Sequence, residues 1–256
     1  MKRLLVLLSL LGFMCERQKE EREALPVVFF VLDAGRTLQR AFVETTYSVE
    51  DTLSIQGVRG VKVRLYFKDT VVDFKEKEEE WSQHPHIVYY ADIDTSLLRP
   101  DIEYSLEVVM PWDDTVRAKT GIPGRFRILY PKNFDTLSLK DSVPLVWSRS
   151  EGAYGIRVYA FVWDTTKQET LSLMDPRRLP IPAKGEDTIL PLFSDTYSSY
   201  FSTPDTFYIV RVEAMDKNFF SYIFYSYLDS LNINLSKGYG VFGGHTHDSL
   251  IVFIKR

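Results

Sequence analysis

The residues of this 256-residue chain best suited to chemistry are its four histidines, which fall in two pairs, His84-Pro-His86 and His245-Thr-His247-Asp248. On a strand, residues i and i+2 share a face, so each His-x-His presents two imidazoles on one side. Such a pair can supply two ligands to a metal ion, with Asp248 as a third ligand or an outer partner. A metal site needs three or four converging ligands, and the alternative is two polar loops beside Pro and Gly with solvated imidazoles. The sequence therefore assigns no metal, and His245 and His247 are its weak candidates. Convergence of the two pairs would favour a hydrolase or metal-dependent enzyme on a β scaffold. Separation beyond ligand reach would favour a non-enzymatic module.

Other catalytic signatures are absent. The chain contains no G-x-S-x-G, no H-E-x-x-H and no P-loop. The glycines of Gly238–Gly244 follow a helical pattern and precede a strand, the reverse of a dinucleotide fingerprint, so they read as a tight structural loop. No catalytic residue and no cofactor is expected. Asp92, Asp94, Asp113 and Asp114 suit strand ends and turns better than a calcium site. The segment from Asp195 to Phe207 mixes Tyr197, Tyr200 and Phe201 with small polar residues, a composition that makes adaptable contacts. These three aromatics are the candidate binding residues; Trp112 and Trp163 are further aromatics at element ends.

The elements that must position these side chains read mostly as strands. Pro26–Leu32 and Leu38–Ser48 are β-branched and aromatic, and 61–67 alternates Val61, Val63, Leu65 and Phe67 with Lys62, Arg64 and Tyr66. Ile87–Ile93, Glu103–Met110 and Thr115–Ile122 continue the pattern. The charged run Lys75–Glu80 reads as a solvated loop or short helical insertion. A weak internal repeat sets Pro100-Asp-Ile-Glu-Tyr104 beside Pro204-Asp-Thr-Phe-Tyr208, each followed by alternating aliphatics. Its spacing is about one sandwich domain. Near the C-terminus, apolar residues recur at helical spacing over 218–231, with Phe220, Ile223, Phe224, Tyr227, Leu228 and Leu231 on the packed face. A last strand is expected over Ser249–Ile254. The fold class is mainly β: two tandem immunoglobulin- or fibronectin type III-like sandwiches with one C-terminal helical insertion.

Composition agrees with a folded chain: 45% hydrophobic, 26% charged, with 15 Tyr, 17 Phe and 4 Trp. The net charge of −4 argues against nucleic acid as a partner. Met1-Lys-Arg followed by the apolar run from Leu4 reads as a signal peptide over 1–14, too short to span a bilayer. Cys15 closes that run and is the only cysteine, so no disulfide forms within the chain. Residues 15–24 form a polar tether. The expected division is then an N-terminal sandwich over 25–128 and a second over 129–256, carrying the helix 218–231 and the Gly-rich loop 238–244, with the two meeting near 124–140.

Two resemblances extend this reading. Leu145-Val-Trp147, Tyr154-Gly-Ile156-Arg-Val158 and Pro204–Ala214 resemble the second, third and sixth strands of a fibronectin type III domain, which implies a tyrosine corner at Tyr208. Cys15, Ala118-Lys-Thr120-Gly-Ile-Pro123 and Gly238-Tyr-Gly240-Val-Phe242-Gly243 resemble the anchor, inter-domain and closing motifs of a Bacteroidetes-type envelope lipoprotein family. Phe13 and Met14, where that signal prefers small residues, depart from its pattern. The resemblance implies lipidation of Cys15 and attachment through the acyl anchor to the bilayer of a bacterial envelope, in the outer membrane. It supplies address and fold, not chemistry; the leader, the tandem strands and the missing catalytic signatures point to a non-enzymatic binding or assembly module, with other envelope proteins or glycans as its expected partners.

Overall fold

A computed structural model describes residues 24–46, 57–81, 84–141, 143–164, 169–172, 181–182, 189–191, 205–225 and 233–255. Cys15, Tyr197, Tyr200 and Phe201 lie outside the described residues, as do Tyr227, Leu228 and Leu231. The first eight strands are β1 (Pro26–Asp33), β2 (Leu38–Thr45), β3 (Lys62–Phe67), β4 (Thr70–Asp73), β5 (Lys75–Trp81), β6 (His84–Asp92), β7 (Tyr104–Val109) and β8 (Thr115–Thr120). They pair in the orders β1-β2-β6-β5 and β4-β3-β7-β8. In chain order these are strands A, B, E, D facing C′, C, F, G, the immunoglobulin arrangement. The alternation expected of β3 is realised: Val63 and Leu65 are fully buried, and their neighbours are not. Tyr104 opens the F strand as a tyrosine corner. Its hydroxyl accepts from Arg99 N at 2.7 Å and donates to Leu97 O at 3.0 Å.

The second sandwich contains β9 (Ile128–Tyr130), β10 (Thr136–Ser138), β11 (Pro144–Trp147), β12 (Gly155–Asp164), β13 (Glu169–Ser172), β14 (Ile181–Pro182), β15 (Ile189–Pro191), β16 (Thr206–Met215) and β17 (Tyr239–Lys255). Sheet β15-β11-β9 accompanies β13-β12-β16-β17, the three-plus-four pattern of a fibronectin type III-like sandwich. Leu145, Trp147, Tyr208, Val210 and Val252 fill its core.

Three expectations are corrected. Lys75–Trp81 is neither loop nor helix but the edge strand β5, antiparallel to β6. The ladder with β6 takes the backbone groups on its inner side, and its charges pair outward: Arg59 with Glu76 and Glu78, and Lys77 and Arg40 with Glu79. A charged edge of this kind resists pairing with another chain. The Gly238–Gly244 segment is not a loop: all but Gly238 lies in β17, which runs for 17 residues. The division at 128/129 also fails at this strand. From Tyr239 to His245, β17 pairs parallel with β1; from His245 to Ile254 it pairs antiparallel with β16. Two four-strand sheets thus merge through a shared strand, and with β10 paired to β17 and β14 to β12 they form one ten-stranded sheet. Phe242, together with Leu235, belongs to the first core, where its ring stacks on Phe30 at 5.3 Å.

Crowding explains the glycines. A Cβ on Gly240 (φ 114°) would lie 1.9 Å from Val28 O, and one on Gly238 (φ 83°) would lie 2.0 Å from Pro26 O. Only glycine lets the strand enter this conformation against β1. The helix α1 (Lys217–Tyr225) starts at an Asp216 N-cap, whose Oδ1 accepts from Phe219 N at 2.9 Å. The same carboxylate accepts from Thr120 Oγ1 of β8 and from Gly244 N of β17, so the cap also fastens the two sandwiches. Phe219 and Phe220 pack with Met215 against Phe29 and Val31 of β1.

Candidate functional site

One cluster of ionisable side chains sits where the two sandwiches join. Register explains its assembly. Arg157 of β12 opposes Glu213 of β16, Glu213 opposes His247 of β17, and His245 opposes Asp33 at the end of β1. Alternation puts these residues on the sheet face opposite the cores, because Ile156, Val212 and Ala214 point inward.

Glu213 is the hub, with its side chain 7% exposed. Its Oε2 accepts from Arg157 Nε at 2.8 Å, from Arg157 Nη2 at 2.5 Å and from the Tyr159 hydroxyl at 2.7 Å. Its Oε1 lies 2.6 Å from His245 Nδ1. The far side of that ring, Nε2, is 3.6 Å from Asp33 Oδ2. His247 Nδ1 is 3.5 Å from Asp33 Oδ1, and the two imidazoles stack with centroids 6.0 Å apart. Both Nδ1 atoms are buried and face only carboxylate oxygens. Gly35 N donates to Asp33 Oδ1 at 2.8 Å, and Arg36 Nε lies 3.3 Å from Oδ2.

Burial opposes ionisation of both carboxyls, but their partners prevail. The two imidazoles and the Gly35 N–H hold Asp33 down to about 2. His245, Arg157 and His247 hold Glu213 below the ordinary carboxylate range. Burial lowers the Arg157 guanidinium, and Glu213 works against that loss. Both acids are therefore ionised at neutral pH and occupied as acceptors. A general acid or base needs a reachable proton and a free face toward a reacting group; Glu213 has neither.

The sequence-based candidates divide cleanly. His245 and His247 do share a face, as their spacing requires. Asp248 points away: its Oδ2 accepts from Ile128 N at 2.7 Å and its Oδ1 from Ser249 N at 2.9 Å. It ties β9 to β17 and is no ligand. The other pair does not converge. His86 interacts with Glu44, which pairs with Val27 at the opposite end of β1 from Asp33. Six residues of strand span roughly 20 Å. Among the described residues no three His, Cys, Asp or Glu side chains are placed to hold a metal. Asp94 and Asp114 serve turns: Ser96 N donates to Asp94, and Trp112 Nε1 and Lys237 Nζ donate to Asp114. Asp33, Glu213, Arg157 and Tyr159 were missed by sequence reasoning. Asp33 is the lone charge of an apolar strand, and the i, i+2 pairs Arg157 and Tyr159 in β12 and Arg211 and Glu213 in β16 carried the local signal.

No protein-family model matches the chain, and no curated protein matches it. Solved structures similar to it include the fibronectin(III)-like modules of Clostridium thermocellum CbhA, at 10% identity over 90% of each chain, with a TM-score of 0.26. The mouse nectin-like molecule 4 ectodomain (Ig1–Ig3) is similar at 12% identity over 90% of this chain and 65% of that one, with a TM-score of 0.23. The titin Ig tandem domains match at 11% identity over 91% of this chain and 97% of that one, with a TM-score of 0.22. Likeness at these TM-scores carries no weight, and the fold assignment rests on strand order.

Proposed function

We propose that the chain is a membrane-anchored envelope lipoprotein that acts as a non-enzymatic binding or assembly module, presenting its two sandwiches as one rigid body. The observation that carries this reading is β17, which serves both sandwiches at once and removes the flexible linker expected between tandem domains. The ionic cluster supports it, because it spends its carboxylates as a clasp across that joint. The separation of the two histidine pairs weighs against the enzyme alternative. The apolar leader and the lone Cys15, with the resemblance to Bacteroidetes-type envelope lipoproteins, supply the address. Anchoring through several acyl chains gives the stable attachment that a single chain cannot.

The test is mass spectrometry of the mature N-terminus together with fractionation of a Cys15→Ser variant. The expected result is a chain that starts at a diacylated or triacylated Cys15, with the variant released from membranes. A start at another residue, or an unmodified Cys15, overturns the anchor.

A further inference from the structure

We propose that the hairpin between β7 and β8 sets Trp112 into the headgroup layer of the bilayer, so that the anchored chain stands on the free end of its first sandwich. The proposal rests on the reading of Cys15 as the anchor and names the surface that meets the membrane. Pairing fixes where that end lies. Thr120, the last residue of β8, is at the joint: its Oγ1 donates to Asp216, which also accepts from Gly244 N. Further back along β8, Arg117 N donates to Ser236 Oγ and Ser236 N to Arg117 O, both at 2.8 Å. Asp114 then accepts from Lys237 Nζ at 2.8 Å, and the next residue, Gly238, lies against Pro26 at the start of β1. Trp112 lies beyond the last of these contacts, at the end where the chain leaves β1 for Cys15. Trp81 reaches the same end by register. From the pair Phe42–Val88, β6 runs back to His84, the partner of Trp81, as β2 runs on to Thr45, the partner of Pro26.

The hairpin tip holds its ring in the open. Asp113 N donates to Met110 O at 3.0 Å and Met110 N to Asp114 O at 2.8 Å, which closes the turn with Asp113 at a φ of 68°. Pro111 stiffens the turn further. Met110 beneath is buried, whereas Trp112 is 45% exposed. Its Nε1 donates to Asp114 Oδ2 at 3.0 Å, and Lys237 balances that carboxylate. Among the described residues the indole has no aromatic or cationic partner. Nearby charges are balanced as well: Arg59 pairs with Glu76 and Glu78, and Lys62 and Asp113 are exposed, one of each sign. A neutral end with a rigid, exposed indole suits the zone between water and hydrocarbon, where tryptophan's apolar body and polar N–H are both accommodated.

One indole holds a free protein only weakly, and the tether changes that. The ten residues 15–24 span at most about 36 Å, so a lipid at Cys15 keeps the hairpin within reach of the bilayer. The contact becomes intramolecular, at an effective concentration on the order of mM. The opposite end of the body is held clear. From Tyr239, opposite Val27, β17 runs roughly 45 Å to Phe253, and Phe207 and Trp163 stand beside Phe253.

Fluorescence quenching tests this on residues 15–256, coupled through Cys15, the only cysteine, to maleimide-headgroup lipid in phosphatidylcholine–phosphatidylethanolamine vesicles. The first reporter carries Trp81→Phe and Trp163→Phe, so that Trp112 and the core residue Trp147, 2% exposed, are its emitters. On brominated lipid its emission should fall by up to about half relative to unbrominated lipid. Adding Trp112→Phe should remove the fall, and Trp112→Phe in the otherwise native chain should reduce the quenching too. A second reporter, which carries Trp81→Phe and Trp112→Phe and keeps Trp163, should be unquenched. The proposal is overturned by an unquenched Trp112, by a fall that survives Trp112→Phe, or by quenching of Trp163, which would lay the far end on the membrane. The lipid is supplied chemically, so failure here leaves lipidation of Cys15 in the cell untouched, and mass spectrometry of the native N-terminus judges that reading separately.

Discussion

Replacing Glu213 with Gln removes one charge and almost no volume from the clasp. The magnitude follows from what is left behind. Arg157, with its side chain 15% exposed, loses the carboxylate that accepts from both its Nε and Nη2. Tyr159 keeps at most a neutral acceptor, and His245 loses the charge 2.6 Å from its Nδ1. Breaking a buried ion pair from one side costs about 3–5 kcal/mol, because the remaining charge is stranded. In a chain of this size that lowers the melting temperature by roughly 6–20 °C. The stranded charge also dictates the second arm. Arg157→Met together with Glu213→Leu should cost far less than the sum of the two single changes, since the double variant strands neither charge of the pair. Thermal unfolding by circular dichroism on all variants closes the cycle. A Glu213→Gln loss below about 1 kcal/mol, or strict additivity in the double variant, would refute the claim that this pair is a buried, coupled clasp.

Three further outcomes are expected. Gly240→Val should prevent β17 from docking on β1, since its Cβ would fall 1.9 Å from Val28 O at a φ of 114°; soluble yield and melting temperature should both collapse, and a native-like melting curve would sink the account of the shared strand. Asp33 is held at about 2 against an ordinary 3.8, so its contribution is present above pH 3.8 and lost as pH falls through 2. That drop corresponds to about 2.4 kcal/mol, so between pH 5 and pH 2 the stability of Asp33→Asn should fall less steeply than that of the native chain. Tyr104→Phe leaves Arg99 N and Leu97 O without the corner hydroxyl, at a cost of about 1–3 kcal/mol measured by urea denaturation.

Much of the β architecture could be read from local pattern, because alternation at Val63 and Leu65 or an aromatic opening at Tyr104 is a property of a few adjacent residues. The shared strand was hidden for a physical reason. Glycine normally punctuates turns, and Gly238, Gly240, Gly243 and Gly244 obscured a strand whose pairing partner lies about 210 positions earlier in the chain. Parallel pairing with β1 leaves no short-range signature, since it depends on a contact between chain ends. The clasp was half visible. His245 and His247 advertise a common face, but Asp33 and Glu213 reach them only through the register of three different strands. The charged run 75–80 misled in the opposite direction: its composition suits solvent, and so does an edge strand.

The rigid two-sandwich body is the claim on which the proposed function stands, and calorimetry of the full chain tests it most directly. With β17 paired to both halves and its Phe242 set in the first core, unfolding either sandwich must disrupt the other. The account predicts one transition whose calorimetric and van't Hoff enthalpies agree. Two separable transitions, or a van't Hoff enthalpy near half the calorimetric value, would contradict it.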